Sequence, residues 1–360
     1  MSKTPRVLIA ASIYPPDPGG PALHASRQFE YFQSRGLKVK LVTLAHYRMW
    51  PRWIRHLLFS IVLFFKSFGT DIIYAHDAWG VGFIALVGAK LRGEKFVMRV
   101  GGDLAWEWAA LKGQTFLSMK EWYERSEHTH DMFYKLTRFV LLRVDLLIVP
   151  ADILKDVYTK YYGVKSEKVT IIQNPISGFQ IAVNQPEPTI LYASRLVAYK
   201  NLDFVLRVLA HIFPKHPELK FLIIGDGPER NRLEELTKTL KIQTQVVFKG
   251  TIPQAEVLDL TSRCLFTLAP ALTEFNPNYV LQGLSLGKPF LVSRENGLAF
   301  AVPKELTFSA RSEDELRDRM EFLLNPTHYT KAQEELAKSV IVTTWEDNLE
   351  QNIKAIKSLV

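Results

Sequence analysis

The stretch TEFNPNYVLQGLSLGKPF sets a carboxylate, Glu274, and an amide, Gln282, eight positions apart around an Asn-Pro-Asn turn. The run CLFTLAPA before it reads as an inner strand, and YVLQGLSLG after it as a short helix stopped by glycine. Glu274 then falls in the loop at a strand's carboxyl end and Gln282 one to two turns into the next helix. In open α/β sheets that edge is where ligands bind. The segment YASRLVAYKN ends another strand and brings Arg195 and Lys200 into one loop ahead of a helix. Arginine's fork and lysine's point charge suit a diphosphate, although two cations in a loop can equally be solvated surface charges.

Further polar residues stand at the ends of other strands. Gly19 and Gly20 in SIYPPDPGGPALHASRQF precede a helix, where bare backbone amides and the helix dipole favour a phosphate or sugar; a plain turn fits the same letters. PPDPGGPA lacks the spacing of the dinucleotide fingerprint. In LIIGDGPERNRL, Gly225 and Gly227 read as a tight turn with Asp226 as its cap. DIIYAHDAWG supplies His76 and Asp77, and VMRVGGDLAWEWA supplies Arg99, Asp103 and Glu107. A histidine at a loop mouth either bonds a sugar or phosphate, moves a proton, or is simply structural; His24 on the first helix reads as structural. No D-x-D or other carboxylate pair stands in a metal-ready loop, so no divalent cation and no cofactor is expected.

Alternating strand and helix signals position these groups. They run from RVLIAAS through VTIIQNP, pause over the polar SGFQIAVNQPEP, and restart with TILYASRL. Such alternation calls for parallel sheets with helical crossovers, here two doubly wound α/β domains joined near residues 176–188. A length of 360 residues also exceeds the usual single core.

Cys264 is the sole cysteine, so no disulfide framework forms within the chain and the cytosol is the expected compartment. The start MSKTPRVLIAA carries no signal-peptide pattern. The net charge of +8 is uneven: residues 1–180 hold 24 Lys and Arg against 15 Asp and Glu, whereas the rest hold 21 against 22. Basic surfaces suit anionic lipid, nucleic acid or phosphorylated substrates, but no nucleic-acid motif accompanies the charge, so no nucleic-acid partner is expected. Residues 49–71, MWPRWIRHLLFSIVLFFKSFGTD, have an uncharged core from Leu57 to Phe65, far short of the roughly 20 residues that span a bilayer. Trp50, Trp53, Arg52, Arg55 and Lys66 flank it with the types that settle at headgroup level. Two readings stand open: a helix lying on an anionic membrane, or an ordinary helix packed on the sheet.

Taken together, GG after the first strand, R-L-x-x-x-K in YASRLVAYKN, LIIGDGPE, and the acid-x7-amide stretch ending in G-x-P resemble the retaining glycosyltransferases of family 4, of GT-B fold, over nearly the whole chain. The resemblance implies two Rossmann-like domains facing across a cleft. Residues 1–178 would bind the acceptor, residues 186–342 would bind the nucleotide-sugar, and a last helix at about 343–360 would complete the first domain. Glu274 would hold donor-sugar hydroxyls, and Arg195 and Lys200 would neutralise the diphosphate. Backbone near Phe275, Asn276 and Asn278 would touch the sugar, and Gly19, Gly20 and Gly227 would lie by the donor. His76 would contact the reacting sugar, with Asp77, Arg99 and Asp103 on the acceptor side. The implied activity moves a hexose from a UDP- or GDP-sugar to a glycan or lipid-linked acceptor at the cytoplasmic membrane face. The alternatives are a GT-B epimerase and a non-catalytic partner that only binds the sugar nucleotide. Two departures stand out: Gln282 replaces the motif's second glutamate, and RVGGD stands where many members carry a histidine.

Overall fold

The computed structural model describes residues 4–17, 19–175, 186–339 and 343–360. Contacts divide the chain into two compact units, one of Met1–Ala105, Ser126–Asn174 and Trp345–Val360, the other of Trp106–Arg125 and Pro175–Thr344. The joint expected near 176–188 falls largely on residues 176–185, outside the described ones.

In the first unit, β1 (Arg6–Ala11), α1 (Gly20–Ser34), β2 (Lys38–Thr43), α2 (Arg52–Lys66), β3 (Ile72–Ala75), α3 (Gly82–Arg92) and β4 (Lys95–Arg99) follow in strict alternation. After α4 (Leu104–Leu111) and α5 (Met119–Glu124) come α6 (Met132–Leu141), β5 (Leu146–Val149), α7 (Asp152–Lys160) and β6 (Val169–Ile171). The strands form a parallel sheet in the order β2-β1-β3-β4-β5-β6. IIYA and LLIV are buried at every position, as strands covered on both faces require. Register pairs Ala10 with Ala75, so the residues following β1 and β3 leave the sheet side by side.

The second unit repeats the plan. Its elements are β7 (Thr189–Ala193), α8 (Leu202–Ile212), β8 (Lys220–Ile224), α9 (Arg230–Thr239), β9 (Val246–Gly250) and α10 (Gln254–Arg263). Then follow β10 (Phe266–Ala269), α11 (Asn278–Ser285), β11 (Phe290–Ser293), β12 (Thr307–Phe308), α12 (Glu313–Leu324) and α13 (Pro326–Ser339). The sheet order is β12-β11-β10-β7-β8-β9, all parallel. Its core is built from Ile190, Tyr192, Val205, Leu209, Phe221 and Phe266.

Two features depart from the sequence expectation. Residues 106–125, expected with the first domain, pack with the second unit. Trp106 is fully buried there, its ring 5.3 Å from Tyr199 and 5.8 Å from Phe275. The Met119 amide donates to Thr273 Oγ1 at 2.8 Å and the Lys120 amide to Glu295 Oε1 at 3.0 Å. α2, for which both core and membrane readings stand open, splits by face. Phe59 and Leu63 are buried, while Trp53 (71% exposed), Leu57, Ile61, Phe64, Phe65 and Phe68 recur on the outside at helical spacing. No helix among the described residues is long and apolar enough to cross a membrane.

The chain's last helix, α14 (Trp345–Lys357), belongs to the first unit. Leu349, Ile353 and Ile356 bury an apolar stripe, and the buried amides Asn348 and Asn352 face His24 (3.2 Å) and the Tyr74 hydroxyl (2.8 Å).

Candidate functional site

At the carboxyl edge of the second sheet three loops converge. After β7, Ser194 and Arg195 lead through a single turn, Ala198–Lys200, to Asn201, whose φ of 60° starts α8. Tyr192 donates its hydroxyl proton to the Arg195 carbonyl at 2.8 Å, which fixes where the guanidinium leaves the backbone. After β8, Gly225 has φ of 122°, and a Cβ there would stand 2.1 Å from the Ser194 carbonyl oxygen. One on Gly227 would stand 2.2 Å from the Leu196 carbonyl oxygen. Both glycines are therefore required for the two loops to lie against one another. Gly227, expected beside a donor, makes its contacts with the Arg195 loop.

After β10 the chain runs to Glu274, which bridges to Asn296 and is almost wholly buried. Lys200 Nζ donates to both its oxygens, at 3.0 and 2.8 Å. Groups expected on the sugar and on the diphosphate of one donor are thus bonded to each other, and each charge keeps the other from being stranded in a low dielectric. Asn276 adopts φ of 118°, with its Oδ1 buried and without a partner. Phe275 is half-buried and Asn278 opens α11. Gln282 is half-buried, and its Oε1 accepts from Gln254 Nε2 at 3.1 Å.

Glu107, which the sequence groups with the first domain, lies in the second unit with Arg195. Their closest atoms are 3.5 Å apart, and the Tyr199 hydroxyl lies 3.3 Å from the same carboxylate oxygen. Burial raises the Glu107 carboxyl above its ordinary range, against the pull of Arg195 and Lys200. Arg195 stays 63% exposed and also donates to the Tyr199 hydroxyl at 2.9 Å, so it projects outward from a braced base.

The edge of the first sheet is different. Gly19, at φ of 121°, caps α1, and Gly20 is the helix's first residue. Among the described residues no side chain caps that terminus, Pro21 stands in its first turn, and no acid does. His76 is buried, its Nε2 2.6 Å from Gln28 Oε1 and its ring against Tyr74 and His24. Burial, then the nearby Arg99 charge, push the imidazole down to about 3, so it stays neutral and stores no proton near neutrality. Asp77 accepts from the amides of Trp79 (3.0 Å) and Val81 (3.1 Å) and from the Ser12 hydroxyl; it shapes a turn. Arg99 is buried and donates to Asn174 Oδ1 at 2.8 Å, and Asp103 is fully buried under the Tyr162 hydroxyl at 2.8 Å. Both lie inside the unit and not on its surface. What the sequence reading missed is a cluster of three arginines, Arg48, Arg52 and Arg55, around a cavity at this same edge. Their close spacing was the available signal.

Two family models divide the chain near residue 175, with residues 106–125 inside the first. The model of Glycosyltransferase Family 4 matches residues 12–177, and that of Glycosyl transferases group 1 matches residues 174–340. The phosphatidylinositol N-acetylglucosaminyltransferase gpi3 subunit of Schizosaccharomyces pombe is 26% identical over 237 residues, 62% of this chain and 51% of that protein. The chain thus spans about half of that relative's length. A phosphatidylinositol N-acetylglucosaminyltransferase protein of Arabidopsis thaliana is 23% identical over 321 residues, 85% of this chain and 71% of that protein. Among solved structures, sucrose-phosphate synthase of Thermosynechococcus elongatus matches with a TM-score of 0.76 at 17% identity, over 98% of this chain and 99% of that one. HepE of Anabaena in complex with UDP-glucose matches at 0.71 and 14%, over 98% and 100%. At these identities the structural likeness speaks for the fold, which is GT-B.

Proposed function

We propose, from the premise that this chain is a glycosyltransferase belonging to family 4, that it moves a hexose from a nucleoside diphosphate sugar to a hydroxyl of a lipid-linked or glycan acceptor, with retention of configuration. The observation that carries the reading is the grouping of Glu274, Lys200 and Arg195 at the carboxyl edge of one parallel sheet. Relatives named as phosphatidylinositol N-acetylglucosaminyltransferases and a structural neighbour complexed with UDP-glucose favour a UDP-sugar and a lipid acceptor.

In this reading Glu274 accepts hydrogen bonds from donor-sugar hydroxyls, with Phe275, Asn276 and Asn278 shaping the sugar pocket. An incoming diphosphate competes with Glu274 for Lys200 Nζ, while the exposed Arg195 folds onto the leaving group. Charge held ready for the departing phosphate is usually the largest catalytic contribution. With Glu274 engaged by the sugar hydroxyls and Glu107 held by the Tyr199 hydroxyl, no carboxylate at this edge is assigned as a covalent nucleophile. Front-face attack follows, in which the leaving phosphate takes the acceptor proton. The two cations supply the charge a metal ion would bring, and transfer is expected to persist in excess EDTA.

The first unit supplies the membrane contact in this account. α2's outer stripe continues onto α3 through Phe83, Val87 and Leu91 and onto Phe139 of α6, whose ring lies 6.3 Å from that of Phe83. Arg92 lies over Phe68 at 3.2 Å. Exposed aromatics bordered by cations match an anionic lipid surface.

The test is a transfer assay with UDP- and GDP-sugars on phosphatidylcholine vesicles with and without phosphatidylinositol, read by the anomeric configuration of the product. A lipid glycoside of the donor's own configuration is expected. An isomerised sugar formed without acceptor would point to an epimerase, and nucleotide-sugar binding without turnover to a non-catalytic binding partner.

A further inference from the structure

Beside the carboxyl ends of β1, β2 and β3 the first unit has an open cavity of about 400 Å³. That volume is within the roughly 300–1,000 Å³ of small-molecule sites. Ser12 enters it from β1, Arg48 from the turn after β2, Trp79 from the loop after β3, and Arg52, Arg55 and His56 from the first turns of α2. Its inner wall is drawn tight at Gly80, where a Cβ would stand 1.8 Å from Ser12 Oγ. The Trp79 wall is fixed by its indole N–H, which donates to Thr137 Oγ1 at 2.8 Å.

The charge here is unbalanced. Three guanidiniums line it against one lining carboxylate, Asp17, which is paired with Arg48 at 3.1 Å; a second, Asp77, stands behind the wall and is spent on the Ser12 hydroxyl and the amides of Trp79 and Val81. Arg52 and Arg55 have no ion-pair partner among the described residues, and Arg55 Nε is buried with no hydrogen-bond acceptor. A buried donor left unmet inside an open cavity points to a group that enters from outside. His56 is lowered by burial and then by Arg55 and Arg52, against a smaller opposing pull from Asp77, and its ring is a further polar contact. Paired guanidinium forks match the oxygens of a phosphate better than any neutral group.

We propose that this cavity holds the phosphate ester of the acceptor, so that the acceptor is a phosphorylated molecule. Trp53, next to Arg52, begins the outer apolar stripe of α2, so a lipid portion would continue from the pocket along that helix. The inference rests on the transferase reading for the word acceptor, but the phosphate site can be tested apart from it.

Calorimetric titration of the full chain with glycerol 3-phosphate, with glycerol as the neutral control, reads the site directly. Wild type and Arg195→Ala should bind the phosphate alike and ignore glycerol. The double variant Arg52→Ala, Arg55→Gln should bind it at least tenfold more weakly, and Arg52→Lys, Arg55→Lys should recover part of the loss. Should the double variant melt early, Arg52→Ala alone, at an exposed position, carries the same comparison. Equal binding by the double variant, or a loss only in Arg195→Ala, overturns the site. Competition by glycerol 3-phosphate against phosphatidylcholine vesicles containing phosphatidylinositol supports the site and identifies a lipid headgroup as the source. Phosphate binding without that competition supports it with a soluble phosphorylated acceptor. A parallel UDP titration separates the two readings: failure to bind UDP would count against the transferase assignment while leaving the phosphate result intact.

Discussion

The two sheets share one plan and end in opposite kinds of edge. In the second unit the polar residues after the strands are locked to each other, as Lys200 to Glu274 and the Gly225 loop to Ser194, and still present Arg195 outward. In the first unit His76, Asp77 and Asp103 are bonded to partners within the fold, Arg99 is buried with Nη2 on Asn174 and Nη1 unmet, and at the cavity Arg52 and Arg55 of α2 have no ion-pair partner among the described residues. Under the proposed assignment the locked edge holds the donor, and the choice of acceptor falls to a helix that also carries the apolar stripe.

Four changes break or sharpen this contrast. Lys200→Met would strand a buried carboxylate, and about 3–5 kcal/mol of stability should be lost from the second unit, measured by denaturant unfolding. A loss under about 1 kcal/mol would mean that the Lys200–Glu274 lock is not structural. Arg195→Ala should leave the melting curve in place and slow transfer by roughly 10²-fold. Near wild-type rates would remove Arg195 from the leaving-group role.

The third change probes the interior of the first unit. His76 sits at about 3 against an ordinary 6.5. Between those values the unfolded chain binds a proton that the native one refuses, so stability falls as pH falls, by up to about 1.4 kcal/mol per unit from this group. His76→Asn should reduce that dependence to the share left by His24, whose imidazole burial also lowers, and an unchanged slope would show that the His76 imidazole is not held neutral. The smallest effect belongs to Gln282→Glu, which restores a carboxylate where the motif expects one. Nucleotide should bind more tightly by about 1 kcal/mol, read by calorimetry; no change would place Gln282 away from the ribose.

The architecture was legible because buried parallel strands are unbroken apolar runs, and TILYA and IIYA announce themselves by that alone. Gly225 and Gly227 were readable as a turn, since only glycine tolerates carbonyl oxygens at the distances found. The transfer of residues 106–125 to the second unit was not legible. Nothing local to AWEWAALKG reveals that Trp106 finds Tyr199 and Phe275 across long sequence separations. His76 follows a strand like a site residue, but its cover comes from Gln28 on α1 and its neutrality from burial and Arg99. The arginines of α2 look in sequence like headgroup charges. Their convergence on Ser12 and Gly80 depends on the β1–β3 register, which no single stretch encodes.

Whether the Glu274, Lys200 and Arg195 edge binds a nucleoside diphosphate sugar is read from the melting curve of wild type and Arg195→Ala with UDP-sugar, GDP-sugar or neither. At about 100 times its dissociation constant the correct donor should stabilise the wild type by about 2.7 kcal/mol, and Arg195→Ala should show a much smaller gain at the same concentration. No stabilisation by either donor, or the same gain in both proteins, would contradict the account.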